Sequence, residues 1–311
     1  MSEKTQHSDV ASRCEFECGL SPDLFRALQG GAGRLSAEER RGTRDFLLQR
    51  RTTQGGYRGR APDADLYYTA FALESLSALG AVAEAEAQST ARFVAERGAG
   101  DELDLIHLCC LGRARAQIRR PAGDADHNRA ILANALSFEC TGGGFDLHRP
   151  PEAPTAYGAF LVRLLCESLG QTTPASVTSP EVWERLRTPD GGLANAAGLT
   201  EGTAPAAAAA LLVRPSGTAT MSTAAQWLVD RQRTDGSFPA SPYAPIGDLL
   251  STATALFGLS RLSAAPPCRP DTVDAYVASL RTPEGGYRGH ILDDQSDVEY
   301  TFYALLALGS V

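Results

Sequence analysis

The sequence contains no apolar run able to cross a bilayer. The longest, Ala206 to Val213, falls far short of the ~20 residues that a spanning helix needs. It has no excess of positive charge either: 29 Lys and Arg stand against 37 Asp and Glu, a net charge of −8. That balance argues against nucleic acid and anionic membranes as partners. Tryptophan is scarce, with only Trp183 and Trp227. The opening stretch MSEKTQHSDV is polar and lacks the pattern of a secretory leader. The seven cysteines are odd in number and irregularly spaced. Together these point to a reduced, cytoplasmic setting in which cysteines serve as small core hydrophobes.

What is present is repetition. Arg-Thr followed by a glycine turn recurs at Arg51-Thr-Thr-Gln-Gly-Gly56, Arg187-Thr-Pro-Asp-Gly-Gly192, Arg233-Thr-Asp-Gly236 and Arg281-Thr-Pro-Glu-Gly-Gly286. The arginines stand 136, 46 and 48 residues apart, so the period is 45–48 residues and the first gap holds three units. Gly142-Gly143-Gly144-Phe145 supplies one missing copy, and a degenerate one lies near Gly98 and Gly100. Ten to twelve residues after each glycine pair comes a second phrase, Asp65-x-x-Tyr68-Thr69 in the first unit and Asp297-x-x-Tyr300-Thr301 in the last. Asp104-x-x-His107 and Asp248-x-x-Ser251-Thr252 are weaker copies, and Pro154-x-x-Tyr157 and the region of Glu201 fill the same slot.

Each unit therefore reads as two helices. Glycine at the left-handed C′ position is expected to end the first. The Asp is expected to cap the second by accepting a backbone N–H, worth ~1 kcal/mol. The mixed-polarity helices Arg44–Arg51, Gln88–Arg97, Asn128–Phe138, Val182–Arg187, Thr223–Arg233 and Val273–Arg281 belong outside. The apolar ones, 65–79, 104–116, 155–169, 201–213, 248–262 and 297–309, belong inside. The predicted fold is an all-α (α/α)6 toroid of six helical hairpins over residues 21–311, behind a flexible tail at 1–20, with Ser21-Pro22-Asp23 as a helix start.

Gly55-Gly56-Tyr57-Arg58-Gly59 with Asp65-Leu-Tyr-Tyr-Thr69, and Gly285-Gly286-Tyr287-Arg288-Gly289 with Asp297-Val-Glu-Tyr-Thr301, resemble the prenyltransferase/squalene-oxidase repeat over residues 36–311. Two tryptophans are few for the cyclases of that family, and the chain looks most like protein prenyltransferase β subunits. The resemblance implies a ring around a cavity that holds an isoprenoid, a helical partner subunit, and a zinc held by Asp, Cys and His. The Asp position falls on Asp248, but the Cys position is Leu250 and the His position Tyr300. With one oxygen ligand left, no metal is expected at that site, and no cofactor otherwise. The loop before Asp248 has no basic residue for a diphosphate, and no Asp-x-Asp-Asp string of the type II cyclases occurs.

In this family the cavity-facing positions lie two, three and six residues after the cap. They would be Tyr67, Tyr68 and Phe71; His107 and Cys110; Tyr157 and Phe160; Leu250, Ser251 and Thr254; and Glu299, Tyr300 and Tyr303, with Asp248 and Asp297 at the mouth. Aromatic rings suit an isoprenoid chain, though they would equally fill a narrow ring. Arg58, Arg60, Arg288 and His290 would meet on ring closure, either on a diphosphate or paired with acids such as Asp63 and Asp293. Asp293-Asp294-Gln-Ser-Asp297 spells the magnesium-diphosphate motif of chain-elongating prenyltransferases, but it straddles a loop and a helix start. Cys14 with Cys18, and His107 with Cys109 and Cys110, have ligand-like spacing that core packing explains as well. His7, His127 and His148 form no recognisable triad. Three functions stay open: an isoprenoid binder with a degenerate zinc site, an active prenyltransferase or terpene cyclase with a relocated site, and a non-catalytic scaffold.

Overall fold

A computed structural model of the chain describes residues 20–81, 84–118, 125–215, 218–262 and 269–311. The expectations for residues 1–19, with His7, Cys14 and Cys18, and for Cys268 lie outside the described residues. Among the described residues stand thirteen α-helices and a single two-strand ladder.

Six apolar helices form the inner ring: α3 (Leu66–Ala78), α5 (Leu105–Gln117), α7 (Ala156–Ser168), α9 (Ala204–Val213), α11 (Leu249–Ser260) and α13 (Val298–Leu308). Each packs on the next, and α13 packs on α3, so the ring closes. Around it lie α2 (Ala37–Gln49), α4 (Glu84–Ala95), α6 (Ala125–Leu136), α8 (Pro180–Arg185), α10 (Thr218–Val229) and α12 (Pro270–Ser279). The fold is the predicted (α/α)6 toroid. None of the helices described is long and apolar enough to cross a membrane.

The caps explain the starts of the inner helices. Asp104, Asp248 and Asp297 each accept the N–H of the third residue on, at 2.8, 2.8 and 2.9 Å, and Asp65 that of Tyr67 at 2.6 Å. In the two remaining units the cap is Thr155 or Thr203, not Pro154 or Glu201, because a hydroxyl oxygen serves the same N–H. The threonine four residues after the cap has its own task. The hydroxyls of Thr69, Thr252 and Thr301 donate to the cap carbonyl and accept the N–H of Tyr57, Phe238 and Tyr287, pinning each glycine-aromatic loop to its helix.

The outer helices begin earlier than their periodicity suggests. Ser36 and Glu39 form a capping box before α2, and Pro270 and Pro180 open α12 and α8 at the first turn. The glycines do not end these helices. Arg50 and Leu280 close α2 and α12 in right-handed conformation, and Gly55 and Gly285, both at φ +94°, instead complete the following turns.

The second glycine of each pair makes the joint between units. A Cβ at Gly56 would stand 2.7 Å from the Phe93 ring, and one at Gly192 2.6 Å from Trp227, each an aromatic on the next outer helix. At Gly286 the ring met, at 2.5 Å, is Phe46 of α2, so the last unit docks on the first. Thr43 donates to the Gly285 carbonyl at 3.0 Å just as Thr90 does to Gly55 at 2.8 Å. Arg50, Arg97 and Arg231 lie over Phe46, Phe93 and Trp227 at 4.6, 4.7 and 3.6 Å, covering the outer side of each ring.

One helix falls outside the six hairpins. α1 (Leu20–Arg34) packs on α13, α3 and α7, crossing the ring at the C-terminal ends of the inner helices. Ser21 N–H donates to Glu167 at 2.9 Å and Asp23 pairs with Arg261. A Cβ at Gly31 would run into the Leu305 carbonyl, so glycine is what allows this close crossing. The helix forms a floor.

The closing joint can be tested by Gly286→Ala. The added methyl must displace the buried Phe46 ring, and about 1–3 kcal/mol of stability should be lost in urea unfolding. A change below ~0.5 kcal/mol, the level of a neutral surface substitution, would show that the joint does not hold the ring closed.

Candidate functional site

Inside the ring, above α1, lies an apolar cavity of about 330 Å³. Its wall follows helix geometry. Counted from each cap, the positions two, six and nine residues on share one helix face. Tyr67, Tyr157 and Leu250 come from the first level, and Phe71, Thr254 and Tyr303 from the second. Leu164, Phe257, Leu306 and Arg113 come from the third, and Leu24 of α1 reaches the cavity from below. Phe160, expected here, also lines it and stacks on Tyr157 at 6.4 Å between centroids. Phe71 meets Tyr67, Phe302 and Tyr303 at 4.8, 4.7 and 5.8 Å, an aromatic wall at the α3–α13 seam.

The position three residues after the cap faces elsewhere. Tyr68 and Tyr300 do not enter the cavity. They flank a rim depression of about 450 Å³, which Arg60, His290, Asp293 and Asp297 also line. The Tyr300 ring lies against Gly289, and Tyr68 against Gly59, each where a Cβ would collide. His107 lies in neither space. Its Nδ1 is 2.8 Å from the Asp104 carboxylate and its Nε2 3.6 Å from Asp65, so it stitches the caps of α5 and α3. The Asp65 carboxylate, helped by Asp104 against partial burial, raises its pKa to about 9. Ser251 and Cys110 are buried.

The four basic residues do not converge. Arg60 holds Asp293 at 2.5 Å and Asp297 at 3.0 Å, bridging the first and last loops. Arg288 donates to the carbonyls of Asp293 and Ser279, turned toward the end of α12. Arg58 stands outside the rim, and His290 alone joins Arg60 there. The motif Asp293-Asp294-Gln-Ser-Asp297 is divided in the same way. Asp293 and Asp297 share Arg60, and Asp297 also caps α13.

Between rim and cavity sits a neck. The Tyr67 hydroxyl, on the cavity wall, donates at 2.7 Å to Glu299, on the rim. Burial raises the Glu299 carboxyl to about 7. The Asp297 charge adds to that, while the Tyr67 bond and Arg60 oppose it. Deeper in the wall, Arg113 makes a paired contact with Glu74, at 2.9 Å from Nε and 2.5 Å from Nη2, and lies 4.8 Å from Phe71 and 5.8 Å from Phe302. Burial opposes the Arg113 charge, but Glu74 outweighs it and the pKa rises. Neither residue was anticipated from the sequence, although a further helical step along the same face reaches both.

Residues 23–102, 125–241 and 206–311 match the prenyltransferase alpha-alpha toroid domain. The chain belongs to that family. No curated protein matches it. Among solved structures, it resembles the alpha-1,6-mannanase GH76A of Salegentibacter sp. HEL1_6 at TM-score 0.60 and 12% identity, covering 88% of this chain and 98% of that one. It also resembles the type II terpene cyclase MstE of Scytonema, at TM-score 0.57 and 13% identity over 93% and 97% of the two chains. A protein from Actinoplanes matches at TM-score 0.57 and 14% identity over 88% and 97%. At such identities the likeness shows the fold, and the mannanase and the cyclase carry unrelated chemistries on it.

The zinc site implied by the prenyltransferase resemblance does not fit these residues. Asp248 is occupied as the cap of α11, Leu250 presents methyl groups to the cavity, and Tyr300 lies at the rim against Gly289. Among the described residues no three His, Cys, Asp or Glu side chains converge as a metal set. Cys109 donates to the Leu161 carbonyl at 3.4 Å, and burial raises its thiol to about 12, consistent with core packing.

The His107 stitch sets a pH dependence. Its folded pKa, near 9, lies above its ordinary value of 6.5. The stabilisation is therefore complete below about 6.5 and is lost as pH rises through 9. Urea midpoints should fall between pH 6.5 and 9.5 in the wild type and stay flatter in His107→Gln. Parallel pH slopes in the two proteins would show that His107 contributes nothing.

Proposed function

We propose that this toroid takes an isoprenoid chain into the apolar cavity through the neck at Tyr67 and Glu299. The observation that supports it is the cavity itself: floored by α1, walled by Phe71, Tyr157, Phe160 and Tyr303, and parted from the rim by the Tyr67–Glu299 contact. Its size lies at the small end of ligand sites of ~300–1,000 Å³. A methyl-branched chain on these rings gains roughly 25 cal/mol per Å² of apolar surface covered. MstE, which shares the fold, has been seen with geranylgeranyl dihydroxybenzoate as substrate, in a structure that resembles this chain at TM-score 0.53.

The test is native mass spectrometry with farnesol and geranylgeraniol, on the wild type and on Ala209→Phe. Ala209 lies on the wall and is 6% exposed, so the new ring would fill free space. One isoprenoid per wild-type chain is expected, and affinity should fall at least about tenfold in the variant, a loss of roughly 1.4 kcal/mol. Undiminished binding by Ala209→Phe would place the ligand elsewhere, and no binding to the wild type would favour a scaffold role.

A second reading follows from Glu299. A carboxyl with a pKa near 7, held at the mouth of a cavity for alkenes, is suited to give up a proton. Transfer to a double bond would form a C–H bond and leave a tertiary carbocation over the rings of Phe71, Phe302 and Tyr303. Attack of a second double bond on that cation would form a C–C bond, close a ring and move the charge to a new carbon. Loss of a proton from the carbon beside it, returned through water to the Glu299 carboxylate, would complete the turnover. Incubation with geranylgeraniol followed by gas chromatography should then yield a cyclic product that Glu299→Gln does not form. Recovery of unchanged alcohol would leave the binding role alone. Under the binding role, uptake of the neutral alcohol should weaken as pH rises through 7 and charges the neck, and Glu299→Gln should abolish that dependence.

A further inference from the structure

The cavity wall is apolar except for a few groups, and two of these, Arg113 and the free end of Asn195, can only donate. Arg113 is 5% exposed. Its Nε and Nη2 bond Glu74, and its Nη1 has no partner among the described residues while the side chain lines the cavity. Asn195 also lines the wall. Its Oδ1 accepts the Tyr157 N–H at 2.9 Å, which leaves its amide N–H groups, and these have no partner among the described residues. The hydroxyls of Tyr157 and Tyr303, on the same wall, have none there either. All four groups line the same cavity. The guanidinium lies beside Phe71 and Phe302.

A guanidinium and an amide N–H can only donate. A pure hydrocarbon filling this space would strand them, and a site built of donors rejects a ligand that offers no acceptor. The charge state narrows the class further. Arg113 is already balanced by Glu74, which is 5% exposed. An anion brought to Nη1 would add a second negative charge beside that carboxylate in a low-dielectric interior, with no cation left to offset it. The rim above is acidic too, with Arg60 held between Asp293 and Asp297.

We infer that the ligand carries an uncharged oxygen acceptor, a carbonyl or hydroxyl oxygen, which Arg113 Nη1 receives inside the cavity. The protein thereby selects oxygenated isoprenoids over hydrocarbons and over diphosphates. This rests on the isoprenoid reading and adds the chemical class of the ligand. Arg113 is a recognition residue, and Glu74 sets its charge and orientation.

The experiment compares three matched fifteen-carbon probes by equilibrium dialysis: farnesal, β-farnesene and farnesyl diphosphate. Wild type should bind farnesal at least about tenfold tighter than either other probe, the loss expected for a buried donor left unmet. The double variant Glu74→Leu/Arg113→Met removes the pair together, since removing one partner would leave an uncompensated charge. In it the preference for farnesal over β-farnesene should vanish while binding of the hydrocarbon persists. If the double variant does not fold, the wild-type ranking decides, together with the infrared carbonyl stretch of bound farnesal, which should move to lower frequency. Equal binding of farnesal and β-farnesene, or tightest binding of the diphosphate, overturns this inference and leaves the isoprenoid reading standing. Binding of none of the three overturns both.

Discussion

Each glycine-aromatic loop leans on the outer helix of the following unit, and at Gly286 the following unit is the first. The Phe46 ring lies where a Cβ of Gly286 would be, and Thr43 holds the Gly285 carbonyl. An open stack of the same hairpins would leave two apolar inner faces exposed, α3 at one end and α13 at the other. Closure buries them against each other, and it also assembles the site. Tyr67 and Phe71 come from α3, and Glu299, Phe302 and Tyr303 from α13. Arg60 reaches from the first loop to Asp293 and Asp297 of the last. The neck and the aromatic wall therefore exist only because the chain's two ends meet.

The interior is graded in polarity for related reasons. At the rim stand the caps, which must be polar to serve the first N–H groups of the inner helices. At the floor α1 covers the C-terminal ends, tied by Ser21 to Glu167 and by Asp23 to Arg261. Between them the wall is largely apolar, interrupted by Arg113. A buried pair such as Glu74 with Arg113 contributes little net stability, because desolvating both charges offsets their attraction. Its placement at the cavity surface, with one nitrogen left over, is what gives it a role in recognition.

The fold was largely legible because its signals are local and repeated. The period, the Asp caps and the apolar inner stretches each recur, so errors in one unit are corrected by the others. The glycines do not end the helices as expected, because a left-handed glycine at C′ and one closing a turn four residues later look alike in sequence. α1 was recognised as a start at Ser21 and Pro22, but its role depends on crossing the ring end, which no local pattern records. Within the site, the family spacing of two, three and six residues reached Phe71 and Tyr303 but mixed two faces. The third position turns to the rim with Tyr68 and Tyr300, or to the caps with His107. Continuing the helical step to the ninth residue would have found Glu74 and Arg113, which lie nine residues after Asp65 and Asp104. That they bond to each other is tertiary information.

The electrostatics of the mouth bear on what kind of head group can enter. Six helix N-termini surround it, and by themselves they would favour an anion. Four of them are already occupied by the caps Asp65, Asp104, Asp248 and Asp297, whose negative charges offset the positive helix ends. Arg60 is bound by two carboxylates, and His107 lies between two more. Arg60 and His107 thus each have acids of their own, and the carboxyl of the neck, Glu299, is driven toward its neutral form by burial. An anion that grips Arg60 would have to displace an internal ion pair to do so. A neutral ligand needs only to cross a neck whose carboxyl can shed its charge near pH 7.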